Sequence, residues 1–215
     1  MDREQSDNEP EIVVRGSRRF VRAYAKLLGI EGSFVDDPVD RGGATKYGIS
    51  LRFLAAEGAF DENGDGYADY DLDMDGDIDG RDVRLITIDQ AGYLYHRFFW
   101  TALDCESFPE PIGEMLFDQA VNGGAKAARK LLQRAINACL ARTGYSMIEV
   151  DARIGPETRR ALDRVLTIDR LGGMEAFVEA FREEVRDRYR AIVRRYPDQK
   201  RFLRGWLNRA DELGR

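Results

Sequence analysis

Residues 17–50 read SRRFVRAYAKLLGIEGSFVDDPVDRGGATKYGIS, and the first third of that stretch points to the fold class. Phe20, Tyr24, Leu27 and Leu28 recur at the spacing of one helix face. Ser17 stands where an N-cap belongs and Gly29 where a helix stops. Glu31 follows that apolar end, Asp40 comes nine residues later and Thr45 five after that. A carboxyl group next to apolar surface is pushed toward its protonated form, which is what proton donation to a glycosidic oxygen requires. Gly42, Gly43 and Gly48 allow sharp turns beside it. The same residues also suit a polar turn closing a surface helix, and spacing alone does not separate the two readings.

Outward from there the pattern stays helical. LRFLAAEGAF (51–60) reads as a short helix, and DVRLITIDQAGYLYHRFFWTAL (82–103) as a longer helical run, with Thr87 and Gln90 placed for a capping box. Residues 110–144 read as two helices parted near Asn122-Gly123-Gly124. Pro156 is placed at the first position of another helix. Residues 174–196 form a long amphipathic helix that Pro197 stops, and a short final helix carries Trp206. Strand alternation is visible only near TKYGIS. The expected fold is mainly α. Residues 1–16 are polar and read as a flexible arm.

Charge is unevenly spread. The net value is −6, but residues 61–82 hold ten acids against Arg81, a local −9, so the rest of the chain sums to +3. Residues 182–215 carry eleven Arg or Lys against six acids. A body with a basic end suits an anionic polymer, and equally a solvated helix face. Cys105 and Cys139 with the single His96 do not make a zinc spacing or a Cys/His nucleophile pair, and the two cysteines fit either a disulfide or buried thiols. His96 is expected to pack between helices. No apolar run is long enough to span a membrane, and the first residues lack the form of a secretion signal. The expectation is synthesis in the cytoplasm as a soluble monomer.

Within the acidic stretch, DLDMDGDIDGRD places Asp71, Asp73, Asp75, Gly76, Asp77, Ile78, Asp79 and Asp82 at positions 1, 3, 5, 6, 7, 8, 9 and 12 of an EF-hand loop, with Asp in place of the closing Glu. Asp77 would ligate through its carbonyl. The preceding segment offers Asp61, Asn63, Asp65, Gly66 and Asp69 at positions 1, 3, 5, 6 and 9, but Leu72 at position 12. One or two structural Ca²⁺ ions are expected. The bland alternative is a solvated acidic loop.

The run EGSFVDDPVDRGGATKYGIS (31–50) resembles the signature of the N-acetylmuramidase family, glycoside hydrolase family 108, found in phage endolysins and bacterial cell-wall proteins. The likeness continues through LYHRFFW, LFDQAVNGGAKAARKLLQRA, VDARIGPETRRAL and FLRGWLNR, over roughly residues 18–210. It implies a lysozyme-like helical fold that hydrolyses the β-1,4 bond between N-acetylmuramic acid and N-acetylglucosamine. On that resemblance Glu31 is the general acid, and Asp40 and Thr45 position water and substrate. Thr45 comes one residue early against the wider lysozyme-like pattern, and Ser33 replaces the family's second Gly. Candidate substrate contacts are Tyr47, Asn122 and Trp206, with a helix break the alternative reading of Asn122 and core packing that of Trp206. The implied organisation is a catalytic region over 17–107 holding the calcium-loop insert 61–82, with a peptidoglycan-binding helical region over 108–215 packed on it. Action on the cell wall would follow holin-type release or another export route. The competing reading is a non-catalytic, calcium-dependent wall-binding or scaffolding module. A dockerin-type adaptor fits less well, because the insert lies inside a larger domain. Nothing in the sequence matches a nucleic-acid-binding motif.

Overall fold

The structure is a computed structural model that describes residues 16–29, 43–141 and 144–215. The arm expected at 1–16 lies outside the described residues apart from Gly16. The chain is mainly helical and divides into two compact units, one ending at Trp100 and the other beginning at Thr101.

In the first unit, α1 (Arg18–Leu28) begins where the Ser17 hydroxyl accepts the Phe20 N–H at 3.1 Å. Its apolar face buries Phe20, Tyr24 and Leu27, each contributing about 2 kcal/mol of burial free energy. That face meets α4 (Ile88–Tyr95) and the π-helical turn His96–Thr101 that continues it. Phe20 contacts His96 edge-on at 4.7 Å and Trp100 at 5.6 Å, and Tyr24 meets Tyr95 at 5.5 Å. His96 is thus a packing residue. Burial pushes the Tyr24 phenol far above its usual range, so it stays protonated and donates to the Ile88 carbonyl at 2.9 Å.

After Gly43, a two-stranded hairpin pairs β1 (Thr45–Lys46) with β2 (Ile49–Ser50). The turn residues Tyr47 and Gly48 both have positive φ (50° and 74°), the type I′ geometry that matches strand twist. Ser50 then caps α2 (Leu51–Glu57). The segment 82–103 is not one helix. Asp79 and Asp82 form their own capping box and start α3 (Gly80–Leu85), and the Thr87–Gln90 box starts α4.

The second unit packs α5 (Ile112–Gly123) and α8 (Gly173–Arg195) against α6 (Ala125–Ala141), with α7 (Pro156–Thr167) and α9 (Leu203–Glu212) alongside. Leu132, Ile136, Phe117, Phe177 and Phe181 form its core. Gly124, at φ 82°, parts α5 from α6. Cys105 and Cys139 are buried free thiols.

Candidate functional site

Glu31 and Asp40 lie outside the described residues, but the elements on either side of them are well fixed. On the N-terminal side, α1 ends at Gly29, whose N–H bonds to Ala25. On the C-terminal side, Gly43 has φ 74°, and a side chain there would press on Leu51. Thr45 Oγ1 donates to the Gly43 carbonyl at 3.2 Å, which orients the hydroxyl and leaves its lone pairs available to a water. The hairpin tip is tied down because Tyr95 Oη donates to the Tyr47 carbonyl at 3.1 Å. Lys46 Nζ reaches the Arg84 carbonyl at 2.6 Å and sits 5.3 Å from the Tyr47 ring centre. Thr45 and Tyr47 are therefore held on a rigid support.

Asn122 and Trp206 belong to the second unit. Asn122 is exposed near the end of α5, and its Nδ2 donates to the Asp118 carbonyl at 2.8 Å. Trp206 is half-buried, in ring contact with Tyr189 at 5.4 Å and stacked with Phe202 at 5.9 Å.

The acidic stretch folds as two similar loops ten residues apart. Residues at loop position 4 (Gly64 and Met74) and position 6 (Gly66 and Gly76) all have positive φ. In each loop the first Asp accepts the position-6 N–H: Gly66 to Asp61 at 3.0 Å, Gly76 to Asp71 at 2.9 Å. The position-5 carboxylate then accepts the position-7 N–H, Tyr67 to Asp65 and Asp77 to Asp75. Among the described residues, carboxylates converge in two trios whose oxygens lie within 4.8 Å of one another: Asp71 with Asp73 and Asp82, and Asp77 with Asp79 and Asp82. Asp82 is fully buried and Asp71 nearly so. Asp82 also accepts from the Leu72 and Asp79 N–H groups at 2.6 and 2.7 Å, joining the loop to the start of α3. Mutual repulsion is visible in the protonation preferences. Partial desolvation, then Asp75 and Asp82, pushes Asp73 above the usual carboxylate range, and Asp75 does the same to Asp77. Arg81 offsets part of this through Asp75 at 2.8 Å and Asp73 at 3.4 Å.

One anchor of the insert escaped the sequence reading. Arg97, on the π-helical turn, pairs with Glu62 of the first loop and lies 4.3 Å from the Phe60 ring centre. The hydrogen bond from Arg97 holds the Glu62 carboxyl below its usual range. Tyr70 is buried and donates to the Gln90 carbonyl at 3.0 Å. The insert is thus bolted to α4 and the turn that follows it. The available signal was a lone Arg within an aromatic run, YHRFFW.

The family model described as Glycosyl hydrolase 108 matches residues 24–124, and the one described as Predicted Peptidoglycan domain matches 127–211. Residues 24–124 are a glycosyl hydrolase 108 region, and a peptidoglycan domain follows it. The solved structure of SagA from Brucella abortus is similar to this chain, at 23% identity over 90% of each chain and a TM-score of 0.61. At that identity the likeness speaks for the fold, which is lysozyme-like and helical. No curated protein matches the chain. The two family regions support a glycoside hydrolase that acts on peptidoglycan. Among the described residues no helix is long and apolar enough to cross a membrane.

Proposed function

We propose that this glycosyl hydrolase 108 chain is a muramidase that cleaves the β-1,4 bond between N-acetylmuramic acid and N-acetylglucosamine, with Glu31 as general acid. The observation that carries the reading is the family match over residues 24–124, which contains Glu31, Asp40 and Thr45 and runs directly into a peptidoglycan domain. In this mechanism Glu31 protonates the bridging oxygen as its bond to C1 breaks. Water, or Asp40 followed by water, completes the sugar, and the water proton returns to a carboxylate. Thr45, oriented by Gly43 on the hairpin, helps to place that water. Tyr47, in the turn of the same hairpin, is the polar contact we assign to the saccharide. Digestion of purified, lipid-free sacculi followed by mass spectrometry tests the bond. Fragments ending in reducing muramic acid are expected, and reducing glucosamine ends or free stem peptides would overturn the assignment.

The acidic insert is assigned to Ca²⁺. The donor set is all oxygen, as a hard cation prefers. Asp69 Oδ1, at position 9 of the first loop, is buried with no hydrogen-bond partner among the described residues. Asp71 and Asp82 are buried beside other carboxylates, a costly arrangement without a compensating cation. In the second loop Asp71, Asp73, Asp75, Asp79 and Asp82 would hold the ion, with the Asp77 carbonyl. In the first loop Asp61, Asn63, Asp65 and Asp69 would do so, with no carboxylate at position 12. The ion's role there is to neutralise the insert and stiffen its attachment to α3 and α4.

A further inference from the structure

Three arginines along α8 form an ion-pair ladder. Arg182, Arg186 and Arg190 are neutralised by Glu179, Glu183, Asp187 and, from α9, Asp211. Past that ladder the pattern changes. Residues 194–206 carry Arg194, Arg195, Lys200, Arg201 and Arg204 against the single Asp198, five cations to one acid and a net +4. All five are exposed, and among the described residues none has a carboxylate partner. Two large rings surface in the same stretch, Tyr196 at 51% and Phe202 at 42% exposure. They are six residues apart across the 3₁₀ segment Pro197–Phe202, and three residues per turn brings both to one side of it.

We propose that residues 194–206 form a docking face for a bilayer surface carrying anionic phospholipid, beyond the hydrolytic site and independent of it. The ring geometry selects lipid over glycan. A sugar needs an open ring face, but Phe202 is stacked with Trp206 and has Arg201 4.6 Å from its centre. Trp206 is itself in contact with Tyr189, and Tyr196 carries Arg195 at 5.5 Å. Each of the two exposed rings thus has a guanidinium group close to it. That arrangement suits the headgroup boundary, where aromatic rings enter the interface and long cationic side chains reach phosphate. Trp206 supports Phe202 from below, with Tyr189 linking it to the core.

The test is co-sedimentation of the full chain with vesicles of phosphatidylglycerol and phosphatidylcholine in equal parts, against phosphatidylcholine alone. Binding is expected only to the mixed vesicles, and it should weaken by about tenfold or more in high salt. Arg195→Glu with Arg201→Glu should lower the partition coefficient by roughly 100-fold, while Lys126→Glu with Arg160→Glu, an equal charge change elsewhere on the unit, should not. Phe202→Ser should weaken binding yet keep its salt dependence. Equal binding by the two double variants would overturn the proposal, as would no binding of the unaltered chain to mixed vesicles. Loss of pelleting with lipid-free sacculi in Arg195→Glu/Arg201→Glu, without vesicle binding, would assign the face to wall polymer instead and also overturn it. Sacculus digestion is expected to be unchanged in both double variants, which separates this result from the muramidase reading.

Discussion

The carboxamide of Gln133 is 1% exposed on α6, yet it serves four groups of the segment 151–158. Its Nε2 donates to Asp151 Oδ1 at 2.7 Å, the Arg153 carbonyl at 3.0 Å and Thr158 Oγ1 at 3.4 Å, and its Oε1 accepts the Ala152 N–H at 2.8 Å. One turn along, Asn137 clamps both backbone groups of Ile148 at 2.8 and 2.9 Å. Gln133 holds the DARIG turn, where Ala152 has φ 65°, and Asn137 holds the stretch of chain that leads into it. Gln133→Ala should therefore cost about 2–3 kcal/mol, chiefly by stranding buried donors and acceptors, and chemical unfolding of the purified chain measures it. A loss under about 0.5 kcal/mol would show that the loop finds other partners. Neither amide was legible in the sequence. A polar residue in a helical run reads as solvent-facing until the loop that covers it is known. Glu31 was legible only through its resemblance to a family motif, because a Glu after a helix end is common in surface turns.

Helix ends were the most readable elements, since each carries a local chemical cause. Ser17, the Thr87–Gln90 pair, Pro156 and Pro197 all act at the ends where their chemistry places them. The split of 82–103 into α3, α4 and a π-helical turn was not readable, because Asp82 looks like a metal ligand and also acts as a capping residue. The insert's connection to Arg97 is a contact between distant segments, invisible to any local pattern. On α8, Arg186 bonds to Glu179, Glu183 and Asp211 at 2.6–2.8 Å and joins the helix to α9. It holds the Glu179 and Glu183 carboxyls below their usual range. Depressed carboxylate pKa values contribute stability above the unfolded-state value and lose it as pH falls through the folded one. Melting temperature should therefore drop on acidification from about pH 5 downward. Arg186→Ala should flatten that part of the curve and cost about 1 kcal/mol at neutral pH, a small figure because both glutamates are about half exposed. An unchanged acid limb in the variant would remove this network from the acid response.

At the scale of the molecule, a peptidoglycan hydrolase region carries an acidic insert and is followed by a helical region with a basic end. The insert's charge explains how a chain of net −6 can still have a cationic remainder. Calcium should raise the stability of the metal-free chain by about 2.7 kcal/mol at a hundredfold excess over its dissociation constant. Calorimetric titration should show uptake, lost in Asp71→Asn with Asp82→Asn. No heat of binding and an unchanged melting temperature in chelator would leave the insert a solvated acidic loop.

The central claim concerns the carboxyl at position 31, and one side-chain exchange isolates it. Glu31→Gln keeps size and polarity while removing the transferable proton. The rate of reducing-end release from purified sacculi should fall by roughly 10²–10⁴ while circular dichroism and melting temperature stay at wild-type values. Release within about twofold of wild type from a folded Glu31→Gln chain would contradict the account, because the proton would then come from elsewhere.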